Sequence, residues 1–146
     1  MREEKASIYH QLLDCELNEM PGAKILLEKL FTRKRLALAS SSHKNDVLKV
    51  LNNLQIINYF EAIATVSDVK NAKPKPDILI YTAKLMNANK TECVVIDDAE
   101  KGIIAAHAAG MRSIAIPNKL TQNNNFQLAT YIIDSLSEVE KILDVL

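Results

Sequence analysis

The sequence predicts an α/β fold in which helices cover both faces of a parallel sheet. Short, continuously apolar segments, such as "LALA" at residues 36–39 and "CVVI" at residues 93–96, are typical of strands buried on both faces. Segments with apolar residues at helical spacing lie between these strands along the chain. Because such sheets bind ligands beyond the carboxyl ends of their strands, we expect the functional site at those ends.

Each predicted element has its own signal in the sequence. The strands are short apolar runs, and we place them at residues 36–39, 62–66, 93–96, 112–116 and 131–133. The helices have amphipathic periodicity, and we place them at residues 22–33, 47–54, 76–86, 100–109 and 135–143. Pro21 before the first helix, Pro76 at the third and Gly110 after the fourth are typical of helix ends.

The composition is that of an ordinary globular chain with no general attraction for nucleic acids or membranes. The 146 residues suit one domain, or one domain with the tail of another. Hydrophobic residues make up 48% and charged residues 25%, which argues against a disordered or fibrous chain. The 18 basic and 18 acidic side chains give zero net charge, so that any phosphate must be bound by local groups.

The cysteines and the first residues indicate a cytoplasmic protein. Cys15 and Cys93 are too few for a disulfide framework, and Cys93 lies in an apolar run where a buried free thiol is expected. The initial segment "MREEKASIYHQ" has no apolar core, and no stretch approaches the roughly 18 apolar residues of a spanning helix. We therefore expect neither a signal peptide nor a membrane-spanning helix.

Two adjacent aspartates follow the strongest predicted strand. In "VVIDDAEKG", Asp97 and Asp98 place two carboxylates at a strand end, where a hard cation with oxygen ligands such as Mg²⁺ would keep both ionised. Asp97 followed three residues later by Glu100 is also a helix-capping pattern. On these residues alone, a metal site and a plain helix cap are equally well supported.

Three serines and a histidine follow the predicted strand at residues 36–39. Ser40, Ser41 and Ser42 lie where a helix begins, and the free backbone N–H groups and hydroxyls there favour a bound phosphate. The simpler interpretation, that Ser42 caps the helix, is favoured when these residues are taken alone. His43 could approach the same anion, but a solvated residue of the first helical turn is the favoured interpretation.

The segment "NAKPKPD" holds two lysines in a stiff backbone. Pro74 and Pro76 restrict the directions in which Lys73 and Lys75 extend. A lysine held in this way can stabilise a phosphoryl group during transfer, whereas a solvated lysine needs no such frame. Both lysines could still be surface charges, but Lys73 is nearer to the predicted strand end and is the better candidate.

Several sequence blocks together resemble one family over nearly the whole chain. The blocks are "MPGAKILLEKL", "RLALASSS", "YFEAIATVSDV", "AKPKPDILIYTA", "VVIDDAEKGIIAAHAAGM" and "IAIPN". In this order they resemble the haloacid dehalogenase (HAD) superfamily, specifically its branch of β-phosphoglucomutase-like and sugar-phosphate phosphatase-like proteins. The resemblance implies a Rossmann-like core, Mg²⁺, and phosphoryl transfer on a small phosphorylated metabolite through an aspartyl-phosphate intermediate.

The resemblance also implies roles for individual residues. Ser40 matches the phosphate-binding hydroxyl of the second family motif, and Lys73 matches the phosphate-neutralising lysine of the third. Asp97 and Asp98 match the acidic pair of the fourth motif, with Asp98 the better candidate for a magnesium contact. The implied substrate-binding set is Ser40, Ser41, Ser42, His43 and Lys73.

The chain departs from the family chiefly at the first motif. That motif is an apolar strand followed by D-x-D-G-[TV], which supplies the nucleophilic aspartate and the general acid/base, and nothing in the sequence matches it. Asp14 is a poor candidate nucleophile because no β-branched strand precedes it and no glycine follows it. Smaller departures are Ala72, where the branch often has glycine, and Ala99, where it often has serine. Ala99 is expected to loosen the turn that aims the acidic pair.

The missing motif has a consequence for the architecture. The resemblance implies that residues 1–20 are the remnant of a helical cap with its return linker, and that residues 21–146 are an incomplete core. In the family, the first-motif strand lies between the strands that match residues 36–39 and 93–96, so we expect the central strand to be missing. These two strands would then pair directly, or another segment would fill the slot, since buried unpaired backbone groups are costly.

Three hypotheses about function follow. The favoured one is that the chain is the C-terminal part of a HAD phosphatase or phosphomutase, inactive alone and complemented by an N-terminal segment. The second is a catalytically inactive module that binds phosphate and Mg²⁺. The third is an assembly subunit that takes its missing strand from a partner or from a second copy of itself.

Overall fold

The computed structural model describes residues 6–9 and 22–146. The strands within these residues are β1 (Ala6–Tyr9), β2 (Arg35–Ser40), β3 (Ala62–Thr65), β4 (Cys93–Asp97), β5 (Arg112–Ala115) and β6 (Tyr131–Ile132). They form one sheet in the order β3-β2-β1-β4-β5-β6, and every neighbouring pair is parallel. The carboxyl ends of all six strands therefore meet at one edge of the sheet.

The helices connect these strands. They are α1 (Ala23–Phe31), α2 (Lys44–Asn53), α3 (Asp77–Leu85), α4 (Glu100–Ala108) and α5 (Val139–Leu143). Within the described residues, no helix is both long enough and apolar enough to cross a membrane.

The core has two layers, one on each face of the sheet. Leu36 and Leu38 of β2 pack in one layer with buried residues of α1, α2 and α5. Ala37 and Ala39, which alternate with them, pack in the other layer with residues of α3 and α4. This division follows from the strand period of two, which sends successive side chains to opposite faces. The predicted α/β fold, with a parallel sheet covered on both faces, is confirmed.

The predicted elements correspond to β2–β6 and α1–α5, with small differences at their ends. The largest difference is in the last helix, which was expected to start at Ser135. There Ser135 and Glu138 form a capping box on a short 3-10 turn, and α5 begins only at Val139. Gly110, which was expected to end the fourth helix, has a φ of +76°, as is typical of a left-handed residue after a helix.

The expected gap at the centre of the sheet is not present, because the structure has the second of the two alternatives, in which another segment fills the slot. Ala6–Tyr9 forms β1 in the slot between β2 and β4, with Ile8 opposite both Ala37 and Val95. These four residues were assigned to the cap remnant, whereas the remainder of that segment lies outside the described residues. The physical reason is that two facing strand edges inside a sheet leave buried N–H and C=O groups unpaired, and a short segment of the same chain satisfies both edges.

We predict that Ile8→Pro destabilises the fold by at least about 2 kcal/mol, because it removes the N–H of a central strand residue and leaves a buried acceptor without its donor. Urea unfolding measures this loss. Ile8→Val is the matched control, since it keeps the N–H and the β-branched side chain. Equal unfolding free energies for the two variants would show that residues 6–9 do not occupy the centre of the sheet.

Candidate functional site

Three of the predicted site residues, Ser41, Lys73 and Asp97, line a cleft at the carboxyl ends of β2 and β4. The cleft has a volume of about 280 Å³, and its lining includes Ser41, Lys73, Asp97, Ala99, Lys101 and Gly102. β2 and β4 are not neighbours in the sheet, because β1 lies between them. The site is therefore built over the end of β1 from residues on either side of it.

Lys73 connects the two sides of this cleft. Its side chain is only 3% exposed, and its Nζ lies 3.3 Å from the carbonyl oxygen of Ala39 and 3.3 Å from Oδ2 of Asp97. Ala39 belongs to β2 and Asp97 to β4, so one ammonium group joins the ends of the two strands that flank β1. Lys75, by contrast, is exposed. Of the two candidate lysines, only Lys73 lies in the cleft.

Asp97 is fully buried, and both of its carboxylate oxygens have partners. Oδ2 pairs with Lys73, and Oδ1 accepts a hydrogen bond of 3.0 Å from the backbone N–H of Ala99. Asp97 is not the cap residue of α4, because Ala99 occupies that position and makes no side-chain capping bond. The alternative in which Asp97 is a plain helix cap is thus not what the structure has.

Asp98 is also buried, with 2% exposure. Its Oδ2 accepts a hydrogen bond of 2.8 Å from Nδ2 of Asn118, a residue just beyond the carboxyl end of β5. The sequence offered no signal for Asn118, which occurs only as the last letter of the block "IAIPN". Its contact with Asp98 depends on parallel strands that bring the ends of β4 and β5 together.

Gly102 is a second residue that the sequence reasoning did not single out. A Cβ atom at this position would lie 1.8 Å from Oδ2 of Asp97, closer than any real contact. Only glycine therefore allows the first turn of α4 to approach the carboxylate that Lys73 contacts. A glycine inside a helix is destabilising and is usually present because a close contact requires it. Its position within the predicted helix was therefore the signal that the sequence offered.

The serine segment forms a tight turn at the end of β2. Ser40 is fully buried, and its Oγ accepts a hydrogen bond of 3.0 Å from the backbone N–H of Ser42. The interpretation that Ser42 caps the helix is wrong, because α2 begins at Lys44 and His43 is its N-cap residue. His43 is exposed and makes no side-chain capping bond. Ser41 is exposed and lines the cleft.

The chemistry of these side chains suits a small hard cation, although the described residues supply few ligands. No group of three or more His, Cys, Asp or Glu side chains that could hold a metal ion occurs among residues 6–9 and 22–146. Mg²⁺, however, usually keeps several waters and takes only one or two carboxylates together with substrate phosphate oxygens. Asp98 and Asp97 are two such carboxylates, and Lys73 offsets the negative charge of Asp97.

The chain is similar in sequence to known phosphatases. Residues 1–116 match the sequence profile described as haloacid dehalogenase-like hydrolase. The phosphorylated carbohydrates phosphatase of Thermotoga maritima is 30% identical over 148 residues, which cover 100% of this chain and 66% of that protein. The fructose-1-phosphate phosphatase YqaB of Escherichia coli is 31% identical over 115 residues, which cover 79% of this chain and 60% of that protein.

A solved structure has the same arrangement. β-Phosphoglucomutase from Clostridium difficile superimposes with a TM-score of 0.76 and 33% sequence identity, over 91% of this chain and 59% of that protein. The chain spans 50% to 66% of the length of several curated relatives that it matches.

We predict that Lys73→Met costs about 3 kcal/mol of unfolding free energy, because it leaves the buried Asp97 carboxylate without its ammonium partner. Adding Asp97→Asn to Lys73→Met should recover part of the loss, since no buried charge then remains. Urea denaturation of the single and double variants measures both effects.

Lys75→Met is the matched control for this pair. Lys75 is exposed, and its replacement should change stability by less than about 0.5 kcal/mol. Equal losses for Lys73→Met and Lys75→Met, or no recovery in the double variant, would mean that the Lys73–Asp97 pair does not form.

Proposed function

Because the chain belongs to the haloacid dehalogenase-like hydrolase family, we propose that it forms the phosphate- and Mg²⁺-binding core of a phosphatase or phosphomutase that acts on a small phosphorylated sugar. The observation that carries this proposal is the buried ion pair of Lys73 with Asp97, which a second buried aspartate, Asp98, follows at the carboxyl edge of the sheet. The names of the phosphatase and phosphomutase relatives support the choice of a phosphorylated sugar.

Lys73 and Ser40 are proposed to bind the phosphoryl oxygens. The chain has no net charge, so its general field does not attract anions, and the ammonium of Lys73 supplies positive charge locally. The Ser40 hydroxyl lies in the turn that leads into α2, where the helix dipole also favours an anion. Ser41, Ser42 and His43 border the same turn and complete the proposed substrate-binding set.

Asp98, and with it Asp97, is proposed to hold Mg²⁺. When bound, the cation would offset the charge of phosphoryl oxygens in the cleft. The contribution of the chain is to present buried oxygen donors at a fixed position. Asp97 is fixed by Lys73 and by the N–H of Ala99, and Asp98 is fixed by Asn118.

We propose that this chain does not provide the carboxylate that attacks the phosphoryl group. The family motif has an aspartate directly after the central strand, whereas β1 is followed in sequence by His10 and Gln11, and the first acidic residue after it is Asp14. Without that nucleophile, covalent catalysis has no starting point. We therefore propose that this polypeptide binds a phosphate ester and Mg²⁺ but does not hydrolyse the ester by itself, and that a complementing segment with the first-motif strand would have to replace β1 in the central slot.

The other two hypotheses differ in what they require of the sheet. A partner strand in the central slot is no longer needed, because β1 fills it. A catalytically inactive binding module remains the second candidate, since it uses the same cleft and differs only in having no complementing segment. Cys93 is buried and its pKa is raised by loss of solvation, which supports an inert, structural thiol.

The proposal predicts that inorganic phosphate together with Mg²⁺ raises the melting temperature, because a ligand that binds only the folded state stabilises it. The response should be lost in the double variant Lys73→Gln/Asp97→Asn, which replaces the buried ion pair by a neutral pair of similar shape. Differential scanning fluorimetry at constant ionic strength measures the change in melting temperature.

Lys75→Gln serves as the control, since it removes an exposed lysine from the same segment and should keep the full response. A wild-type chain that does not respond to phosphate and Mg²⁺ would refute the proposed function. A response that survives in the neutral-pair variant would show that the anion binds elsewhere.

A further inference from the structure

Asn118 contacts one of the two acidic residues directly. Its Nδ2 donates a hydrogen bond of 2.8 Å to Oδ2 of Asp98, and Asp98 is 2% exposed. Because a hydrogen bond is electrostatically stronger in a buried, low-dielectric setting than in water, this contact restricts the rotation of the Asp98 carboxylate. The orientation of the carboxylate therefore depends on a residue from a different strand end.

The side-chain amide of Asn118 is itself held in one orientation. Its Oδ1 accepts hydrogen bonds from the N–H of Leu120 at 2.8 Å, the N–H of Thr121 at 3.1 Å and the hydroxyl of Thr121 at 3.3 Å. The N–H of Asn118 also donates to Oγ1 of Thr121 at 2.9 Å. Since the backbone donors require an oxygen at that position, the NH₂ group is the end of the amide that faces Asp98.

A second asparagine from the same loop contacts the start of α4. The N–H of Glu100 donates to Oδ1 of Asn124 at 3.2 Å, and the N–H of Asn125 donates to Oε1 of Glu100 at 2.9 Å. Ala99, the N-cap residue, has no side chain that can accept such a bond. Asn124 thus supplies an acceptor for the first turn of α4 that the cap residue lacks.

We propose that Asn118 is a positioning residue for Asp98, and that the loop at residues 118–125 holds the acidic turn in place of a capping side chain at Ala99. The inference rests on the proposed function, because it concerns the same Mg²⁺ site. Residues that hydrogen-bond to a metal-binding side chain typically change metal affinity about 10- to 100-fold when they are removed. Asn118 should therefore set the affinity of the acidic pair for Mg²⁺ without contacting the ion.

Titration with MgCl₂ alone tests this role without any turnover. Backbone amide NMR shifts of Ala99 and Glu100, recorded at constant ionic strength, report the dissociation constant of Mg²⁺. Asn118→Ala should raise that constant at least about tenfold. Asn118→Ser should raise it similarly, because serine keeps an acceptor for the loop N–H groups but cannot reach Asp98, and it retains the loop if the alanine variant fails to fold.

Asn89→Ala is the matched control. Oδ1 of Asn89 accepts hydrogen bonds of 3.0 Å from the N–H and the hydroxyl of Thr91, much as Asn118 does from Thr121, but it lies before the start of β4, away from the cleft. Its removal should lower stability and leave Mg²⁺ affinity unchanged. If both Asn118 variants bind Mg²⁺ as tightly as the Asn89→Ala control, the inference is wrong and the proposed function stands. If the unaltered chain shows no Mg²⁺-dependent shift, the proposed function is wrong as well.

Discussion

The interaction on which the rest of the structure depends is the buried ion pair between Lys73 and Asp97. It joins the carboxyl ends of β2 and β4, two strands separated by β1, and it is possible only because the three strands form one continuous parallel sheet. It also requires glycine at position 102, where any side chain would overlap the Asp97 carboxylate. The order of the strands, the close approach of α4 to β4 and the position of the cleft are thus all linked through the contact between Lys73 and Asp97.

Stability alone does not explain why this pair is present. Removing two charges from water costs several kcal/mol per ion, and apolar residues of similar volume are often at least as stabilising. The pair has a clearer chemical reason. In a chain with 18 basic and 18 acidic residues, a buried ammonium next to two aspartates supplies a local anion site beside a local cation site. We propose that the phosphate group of an ester and its Mg²⁺ ion are both bound there.

Much of this arrangement could be predicted from the sequence, for identifiable reasons. Apolar runs and helical periodicity are local signals, and they located β2–β6 and α1–α5. The rule that ligands bind at the carboxyl ends of parallel strands then indicates Lys73, Asp97 and Asp98 as site residues. Lys73 and Asp97 do form a pair in the cleft at that edge of the sheet, and Asp98 is buried next to them in sequence, in contact with Asn118.

What the sequence did not reveal depends on contacts between distant segments. β1 has only four residues, "ASIY", with polar neighbours on both sides, and it becomes a strand because two facing edges need a partner. Asn118 and Asn124 read as ordinary loop residues. Their hydrogen bonds to Asp98 and Glu100 join positions 20 and 24 residues apart, and such bonds arise only once the loop has its folded path.

The central claim is that the chain binds a phosphate ester and a divalent cation but lacks the carboxylate that would attack the ester. Phosphorus NMR of p-nitrophenyl phosphate with Mg²⁺ and this polypeptide tests both parts in one measurement. The account predicts that the ester resonance shifts with protein concentration and is not replaced by inorganic phosphate. Conversion to inorganic phosphate that Asp14→Asn abolishes, or a resonance that the protein leaves unchanged, would contradict it.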